Sequence, residues 1–336
     1  MIIEDLGSRT SMGQALATPR EDLDETAVLN PDISEGKLKD LYTQMARCVL
    51  QLAQPTFPRI GALGTTYQTA DEWYVVLAEM QMATLLFQHN DIISSEDDCR
   101  TKYVARQLFH RVAKQGHLST FGFAEDSWSA RSKHACATMP MPNSTRSFRL
   151  WCDDFRPANV LIDDNENVLG AIDWEFAYAG PTQFVLDPPW WLLLDAPETW
   201  EDGIEDWTCV YERRLRTWLS ALGEAEQEMS SGSFLLSAYM RESWETGRFW
   251  LNYATRRSWA FDTIYWKYLD ERFFGECGKD VPTKELWKTR VHLLSPKEQA
   301  AMELLVQIKM EESKERILMD WDAVDVKQRL SSFLFD

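Results

Sequence analysis

Apolar residues recur at helical spacing through the first hundred residues and again through the last third of the chain. After Ser34, a suitable helix N-cap, one face carries apolar side chains up to the helix-ending Pro55: Leu38, Leu41, Tyr42, Met45, Val49 and Leu52. Similar stripes predict further helices at about 69–89, 95–114, 203–222, 233–255, 257–272 and 295–319. The pattern therefore predicts a mainly α-helical protein without an internal repeat.

Three kinds of stretch break this pattern. Residues 1–33 show no helical period, and residues 115–147 are rich in Ser, Pro and Gly, which predicts a long loop or insertion. Residues 159–163 and 168–174 are short, rich in branched side chains and separated by "DNEN", which is typical of a β-hairpin. The following "AGPTQFVLDPPWW" predicts a loop broken by prolines. We expect one small β-hairpin within a mainly helical fold.

The chain is strongly acidic, with 35 Lys and Arg against 53 Asp and Glu and a formal net charge of −18. Nucleic acids and anionic membranes are bound by basic surfaces, so neither is an expected partner. A cationic small molecule is compatible with this charge. The N-terminus lacks a signal-peptide pattern, the longest apolar run ("WWLLL") is far below the roughly 18 residues of a spanning helix, and no two Cys have C-x-x-C spacing. We therefore predict a cytoplasmic protein, and its oligomeric state stays open.

Three polar residues around the predicted hairpin have informative spacing. Asp154 lies before the first strand, Asn159 opens that strand, and Asp173 ends the second. Because an antiparallel hairpin brings the start of its first strand beside the end of its second, Asn159 and Asp173 should lie side by side, with Asp154 on the loop above. One carboxylate and one amide suit Mg²⁺, and a further carboxylate suits the proton of an attacking hydroxyl. The spacing predicts a phosphoryl-transfer site with Asp154 as base and Asn159 and Asp173 as metal ligands.

The same stretch resembles a known family. Asp and Asn are common turn residues, and D-x-x-x-x-N alone is a weak signal. However, "CDDFRPANVLID" followed by a turn and "IDWE" resembles the His-Gly-Asp-x-x-x-x-Asn and Ile-Asp-Trp/Phe-Glu motifs of the aminoglycoside phosphotransferase and choline kinase-like family. The likeness spans about residues 32–275 and is similar to a branch common in filamentous fungi. It implies a protein-kinase-like C-terminal lobe that transfers phosphate from ATP, with Mg²⁺, to a hydroxyl of a small molecule.

Carried over by position, the resemblance implies that Asp154 is the catalytic Asp and that Asn159 and Asp173 bind Mg²⁺. Cys152 stands where the family has a structural His two residues before the catalytic Asp. A nucleophilic Cys152 is an alternative, but no His lies near it in the sequence, and a buried packing thiol is the ordinary interpretation.

A kinase-like enzyme also needs an N-terminal lobe whose glycine-rich loop and strand Lys grip ATP. No G-x-G-x-x-G occurs, and the first Lys, Lys37, already lies in the first predicted helix. The opening "MIIEDLG" resembles the hinge strand of the family. We expect a hinge-like irregular segment at 1–33, the kinase-like lobe at 34–275 with an insertion at 115–147, and a C-terminal helical extension at 276–336. The N-lobe is expected to be largely missing.

Two functions stay open on the sequence alone. The chain is either a truncated or impaired phosphotransferase, so that its enzyme activity is uncertain, or a non-catalytic pseudokinase-type binding module that uses its Trp-rich helices. Carboxylates mixed with Trp faces can hold a cationic acceptor, and the substrate candidates are Asp187, Trp190, Trp191 and Glu198. The alternative for the Trp residues is a place in the core, and the sequence does not identify the acceptor.

Overall fold

Helices make up most of the chain in a computed structural model, which describes residues 10–20, 26–62, 65–88, 93–130, 137–142, 148–229, 235–276, 281–315 and 320–335. The α-helices among them are α1 (Met12–Leu16), α2 (Glu35–Leu52), α3 (Ala70–Phe87), α4 (Glu96–Lys114), α5 (Thr182–Val185), α6 (Gly203–Met229), α7 (Leu236–Thr246), α8 (Arg248–Arg256), α9 (Ser258–Ile264), α10 (Asp270–Phe274), α11 (Trp287–Arg290), α12 (Pro296–Glu315) and α13 (Ala323–Ser331). The prediction of a mainly helical fold is confirmed. None of these helices has the length and apolar character needed to cross a membrane.

Most predicted helices are present, and the differences have local causes. Helix α2 begins after Ser34 as predicted, because the Ser34 hydroxyl accepts a hydrogen bond from the Lys37 N–H. The predicted helix 233–255 is divided into α7 and α8 by Gly247, whose φ of 80° is unfavourable for other residues. The predicted helix 257–272 contains a π-helical turn, Tyr265–Leu269, between α9 and α10. The predicted end of the last long helix, at 319, lies outside the described residues.

The strands are short: β1 (Thr10–Ser11), β2 (Thr56–Phe57), β3 (Ile60–Ala62), β4 (Thr65–Tyr67), β5 (Phe148–Cys152), β6 (Val160–Ile162), β7 (Val168–Ala171) and β8 (Ala177–Pro181). They form antiparallel sheets in the orders β1-β6-β7, β2-β5-β8 and β3-β4. The predicted hairpin is confirmed as β6–β7. The expectation that it would be the single β element is wrong, since strands of two to five residues are too short to show a period in the sequence.

Two segments predicted to be irregular contain regular structure. Residues 10–16, inside the predicted hinge-like segment, form β1 and α1. The predicted proline-broken loop, residues 179–191, contains the end of β8 and the whole of α5. The whole "MIIEDLG" opening lies outside the described residues. The predicted insertion at 115–147 contains a 3-10 turn, Leu118–Thr120, and is otherwise irregular where it is described.

The chain divides into two compact units, and each is formed by two separate stretches. The first comprises residues 1–68 and 142–244, and the second comprises residues 69–141 and 245–336. All three boundaries fall inside the range 34–275 that the family resemblance assigns to one lobe. The identity of that lobe therefore stays a prediction.

The core of the first unit lies between α2 and α6. The buried face of α2 contains four of the six residues of the predicted stripe, Leu38, Leu41, Tyr42 and Met45, together with Ala46 and Leu50. The other two predicted residues, Val49 and Leu52, are only partly buried. Tyr42 packs edge-on against Trp218, with ring centroids 5.8 Å apart, and donates its hydroxyl to the Leu192 carbonyl at 2.7 Å. Since each large buried apolar side chain contributes roughly 1.5–3 kcal/mol, α2 is held firmly in this unit.

Helix α4 is central to the second unit, where it packs against both α3 and α12. Aromatic side chains fill the interior: Phe109 meets Phe261 edge-on at 5.3 Å, and Phe121 meets Phe273 edge-on at 5.5 Å between ring centroids. Charged side chains are built into the same interior, including Glu298 at the start of α12.

Glu298 makes the stability of the second unit depend on pH. Its carboxylate accepts hydrogen bonds from the Ser295 N–H at 2.5 Å, from Gln107 at 3.0 Å and from Arg111 at 2.6 Å. Burial pushes the pKa of Glu298 upward, but the bonds from Ser295 and Arg111 outweigh burial and hold the pKa below its ordinary value of 4.5. A carboxyl with a lowered pKa in the folded state stabilises the protein above pH 4.5, and this contribution is lost as pH falls through the folded pKa.

We expect Glu298→Gln to flatten the pH dependence of unfolding below pH 4.5, because an amide cannot be titrated there. Urea unfolding at a series of pH values measures this effect, and the wild-type protein should lose stability more steeply than the variant. Equal slopes for the two proteins would contradict the contribution assigned to Glu298.

Candidate functional site

The loop between β5 and β6 carries two of the predicted site residues. It turns sharply after Cys152, where the Phe155 N–H donates to the Cys152 carbonyl at 3.2 Å. A 3-10 turn, Pro157–Asn159, then leads into β6, and its proline fixes the backbone angle at the first position. Helix α1 supports this turn closely, because a Cβ on Gly13 would lie 3.1 Å from the Ala158 backbone.

Asn159 is held against Asp154. The Asn159 side chain is 6% exposed, and its Nδ2 donates to the Asp154 carbonyl at 2.9 Å and to the Asp154 carboxylate at 2.8 Å. A hydrogen bond to a charged acceptor is stronger than one between neutral groups, so it fixes both side chains. The Oδ1 atom of Asn159 is left as the acceptor that can hold a cation.

Asp173 lies beside Asn159 at the open end of the hairpin. The Ile172 N–H donates to the Asn159 carbonyl at 2.9 Å, which confirms the predicted juxtaposition of the two strand ends. Asp173 itself has φ 58° and ψ 54°, the left-handed region that is uncommon for residues other than glycine. Its carboxylate is exposed and accepts no hydrogen bond from any residue that the structure describes. A strained residue with an unpaired carboxylate is a candidate for function.

Arg156 is a site residue that the sequence analysis missed. Its Nε lies 2.9 Å from Oδ1 of Asp154, as an ion pair without the alignment of a hydrogen bond. Both side chains are partly exposed, so the pair contributes little stability. The guanidinium is well suited to phosphate oxygens, and the only signal for it in the sequence is a lone basic residue within an acidic stretch.

Cys152 is buried beneath the site. Its Sγ lies 4.0 Å from the Asp173 carbonyl, and burial raises the pKa of the Cys152 thiol. A buried, protonated thiol is a poor nucleophile, so we interpret Cys152 as a packing residue. It stands at the position where the family that the motif resembles has a His.

Apolar side chains on both sides of Asp173 are unusually open to solvent. Ile172, Trp174 and Phe176 are 44%, 40% and 55% exposed. Trp174 stacks on Phe155, with ring centroids 6.1 Å apart, so the exposed surface has a fixed shape. Exposed apolar groups clustered in this way mark a contact surface, and the sequence analysis missed this one because acidic residues alternate with them.

The substrate candidates differ in their surroundings. Asp187 is buried and accepts a hydrogen bond from the Ser243 hydroxyl at 2.5 Å. Trp191 is buried edge-on against Trp218, with ring centroids 5.3 Å apart. Trp190 is half-buried and Glu198 is exposed. The structure therefore places Trp191 in the interior of the first unit, as the alternative interpretation of the Trp residues expects, and Asp187 is buried there as well. Trp190 and Glu198 are more accessible.

The donor set at the hairpin suits a hard cation. No group of three or more His, Cys, Asp or Glu side chains in the described part of the chain can hold a metal ion. A cation at the hairpin would be held by the Asp173 carboxylate and the Asn159 amide oxygen, completed by water. Mg²⁺ prefers this kind of site, since it takes few protein oxygens and keeps several waters.

Comparison with known proteins gives no match to any family model, to any curated protein or to any solved structure. The family resemblance therefore rests on the motif residues themselves.

Proposed function

We propose that this chain is a phosphotransferase of the aminoglycoside phosphotransferase and choline kinase-like family, with its first unit as part of a kinase-like C-terminal lobe. It would transfer the γ-phosphate of ATP to a hydroxyl of a small molecule. The observation that carries the proposal is the arrangement of Asn159, whose side chain is bonded to Asp154 and whose main-chain carbonyl accepts the N–H of Ile172, the residue before Asp173.

Each residue has a role in this proposal. Asp154 accepts or orients the proton of the acceptor hydroxyl, and the bond from Asn159 holds its carboxylate in place. Arg156 lies where it can exchange its ion pair with Asp154 for a phosphate oxygen. Asn159 and Asp173 would hold Mg²⁺, which neutralises negative charge on the phosphates when it is bound.

A non-catalytic binding module is the second candidate. The exposed side chains of Ile172, Trp174 and Phe176 favour it, because a rigid apolar surface can bind a partner without any chemistry. Calorimetry with Mg-ATP distinguishes the two candidate functions. A phosphotransferase should give heat of binding, whereas the binding module should give none while it still binds a partner.

The metal site gives the direct test of the proposal. We expect wild-type protein to bind Mn²⁺, which replaces Mg²⁺ at oxygen sites, and Asp173→Asn to weaken this binding by about 10- to 100-fold. Asn tolerates the left-handed backbone of this position, so the variant removes the charge without adding strain. The loss of the free Mn²⁺ signal in electron paramagnetic resonance measures the affinity.

Asp164→Asn is the matched control, since Asp164 is exposed in the turn at the other end of the same hairpin. It should bind Mn²⁺ like the wild type. Unchanged Mn²⁺ affinity in Asp173→Asn, or an equal loss in Asp164→Asn, would rule out the metal site and with it the phosphotransferase.

A further inference from the structure

We propose that Gln44 is a positioning residue that fixes the β6–β7 hairpin and, through it, the spacing of Asn159 and Asp173. This inference rests on the proposed function of the hairpin as a metal and phosphate site. Gln44 lies on α2 and touches neither of the two proposed ligands, so its effect would be transmitted along the hairpin.

Both ends of the Gln44 side-chain amide bond the hairpin turn. Its Nε2 donates to the Glu166 carbonyl at 2.8 Å, and its Oε1 accepts the Val168 N–H at 2.8 Å. The amide thus pairs with the main chain as a neighbouring strand would. Since unpaired main-chain groups are costly when they are half-buried, these two bonds favour one position of the turn.

The hairpin needs such a constraint because its register is irregular. Ile162 pairs with Val168, whereas Leu161 pairs with Gly170, so Leu169 is an extra residue in β7. A bulge of this kind leaves part of the ladder unpaired. A slip of one residue would turn every following side chain to the opposite face, and Asp173 would no longer follow a residue that is paired with Asn159.

The turn also has hydrogen bonds within itself. They determine its conformation but do not attach it to the rest of the first unit. The Asp163 carboxylate accepts the N–H groups of Asn165 and Asn167, at 2.9 and 2.8 Å, and Glu166 has a left-handed φ of 63°. Gln44 ties this preformed turn to α2, whose opposite face is buried in the core.

A second contact from α2 to the turn is weaker. Lys37 Nζ lies 2.5 Å from a Glu166 carboxylate oxygen, with the two side chains 43% and 40% exposed. Ion pairs that are this exposed contribute little because water and salt screen them. We therefore assign the positioning of the turn to Gln44. Lys37, which contacts the same turn only through an exposed ion pair, serves as the control residue.

The test compares Mn²⁺ affinity and amide hydrogen exchange in Gln44→Ala, Lys37→Ala and Met45→Ala. Met45 is on the same helix but buried in the core, so Met45→Ala destabilises the fold without touching the turn. We expect Gln44→Ala to lower Mn²⁺ affinity by about tenfold and to speed exchange of the Ile172 amide, which lies at the site end of the hairpin. Lys37→Ala and Met45→Ala should keep the Mn²⁺ affinity within about twofold of wild type.

Two results would overturn the inference. One is a Gln44→Ala protein with Mn²⁺ affinity within twofold of wild type, and the other is an equal loss in Met45→Ala, which would show that general destabilisation is the cause. If the wild type binds no Mn²⁺, the proposed function fails, and exchange at Ile172 still decides the inference. Faster exchange there in Gln44→Ala alone supports positioning by Gln44, and unchanged exchange rejects it.

Discussion

Phosphate transfer from ATP is expected to fall by about 10²- to 10⁴-fold when Asp154 is replaced by Ala, the range typical of a lost general base. The Asp154 carboxylate is the group at this loop that a neighbouring amide and a guanidinium together hold in place. Removing it leaves the acceptor hydroxyl without a partner for its proton. Transfer of label from [γ-³²P]ATP to a panel of amino alcohols, sugars and aminoglycosides, with Mg²⁺ present, measures the effect.

Asp154→Asn, in the same assay, tests whether the charge of the Asp154 side chain matters apart from its size. The amide has the size of the carboxylate but cannot take a proton from the hydroxyl, so it should lose as much activity as Asp154→Ala. The control variant is Asp164→Ala, which removes an exposed carboxylate in the turn of the same hairpin. It should retain wild-type turnover. Wild-type turnover in either Asp154 variant would end the assignment of Asp154 as the catalytic residue.

The helices could be predicted because their signals are local. Ser34 before a stripe of apolar residues defines the start of α2, and most of that stripe lies on the buried face of the helix. The short strands could not be predicted in this way. Strand β1 has two residues and is a strand because it pairs with Ile162 and Leu161, about 150 residues away in the sequence. Tertiary pairing of this kind leaves no pattern in so short a segment.

The candidate site shows the same division between local and distant causes. The spacing of Asn159 and Asp173 predicts correctly that the two ends of the hairpin meet at Asn159 and Ile172, because a hairpin is a local structure. The left-handed backbone of Asp173 has no marker in the sequence. The bonds from Gln44 to the turn join residues more than 120 positions apart, and only the packing of α2 brings them together.

Asp262→Ala is expected to cost about 3–5 kcal/mol of unfolding free energy, because it leaves a buried charge without its partner. Arg106 on α4 is completely buried, and its guanidinium pairs with both carboxylate oxygens of Asp262 on α9, at 2.5 and 3.1 Å. It also donates to the Gln81 and Lys102 carbonyls, at 2.9 and 3.1 Å, and lies 5.0 Å from the centre of the Phe261 ring. Without Asp262, the two neutral carbonyls and the Phe261 ring do not neutralise the positive charge of the guanidinium.

Urea unfolding, followed by hydrogen exchange of the α4 amides, measures this loss within the second unit. Glu303→Ala is the matched control, since Glu303 pairs with Arg100 on the same helix but is about half exposed, and it should cost less than about 1 kcal/mol. Replacing both members of the buried pair, in Arg106→Met with Asp262→Leu, should restore much of the stability, because no unpaired charge remains. A loss below about 1 kcal/mol in Asp262→Ala would show that water reaches Arg106 and that the ion pair does not hold α4 to α9.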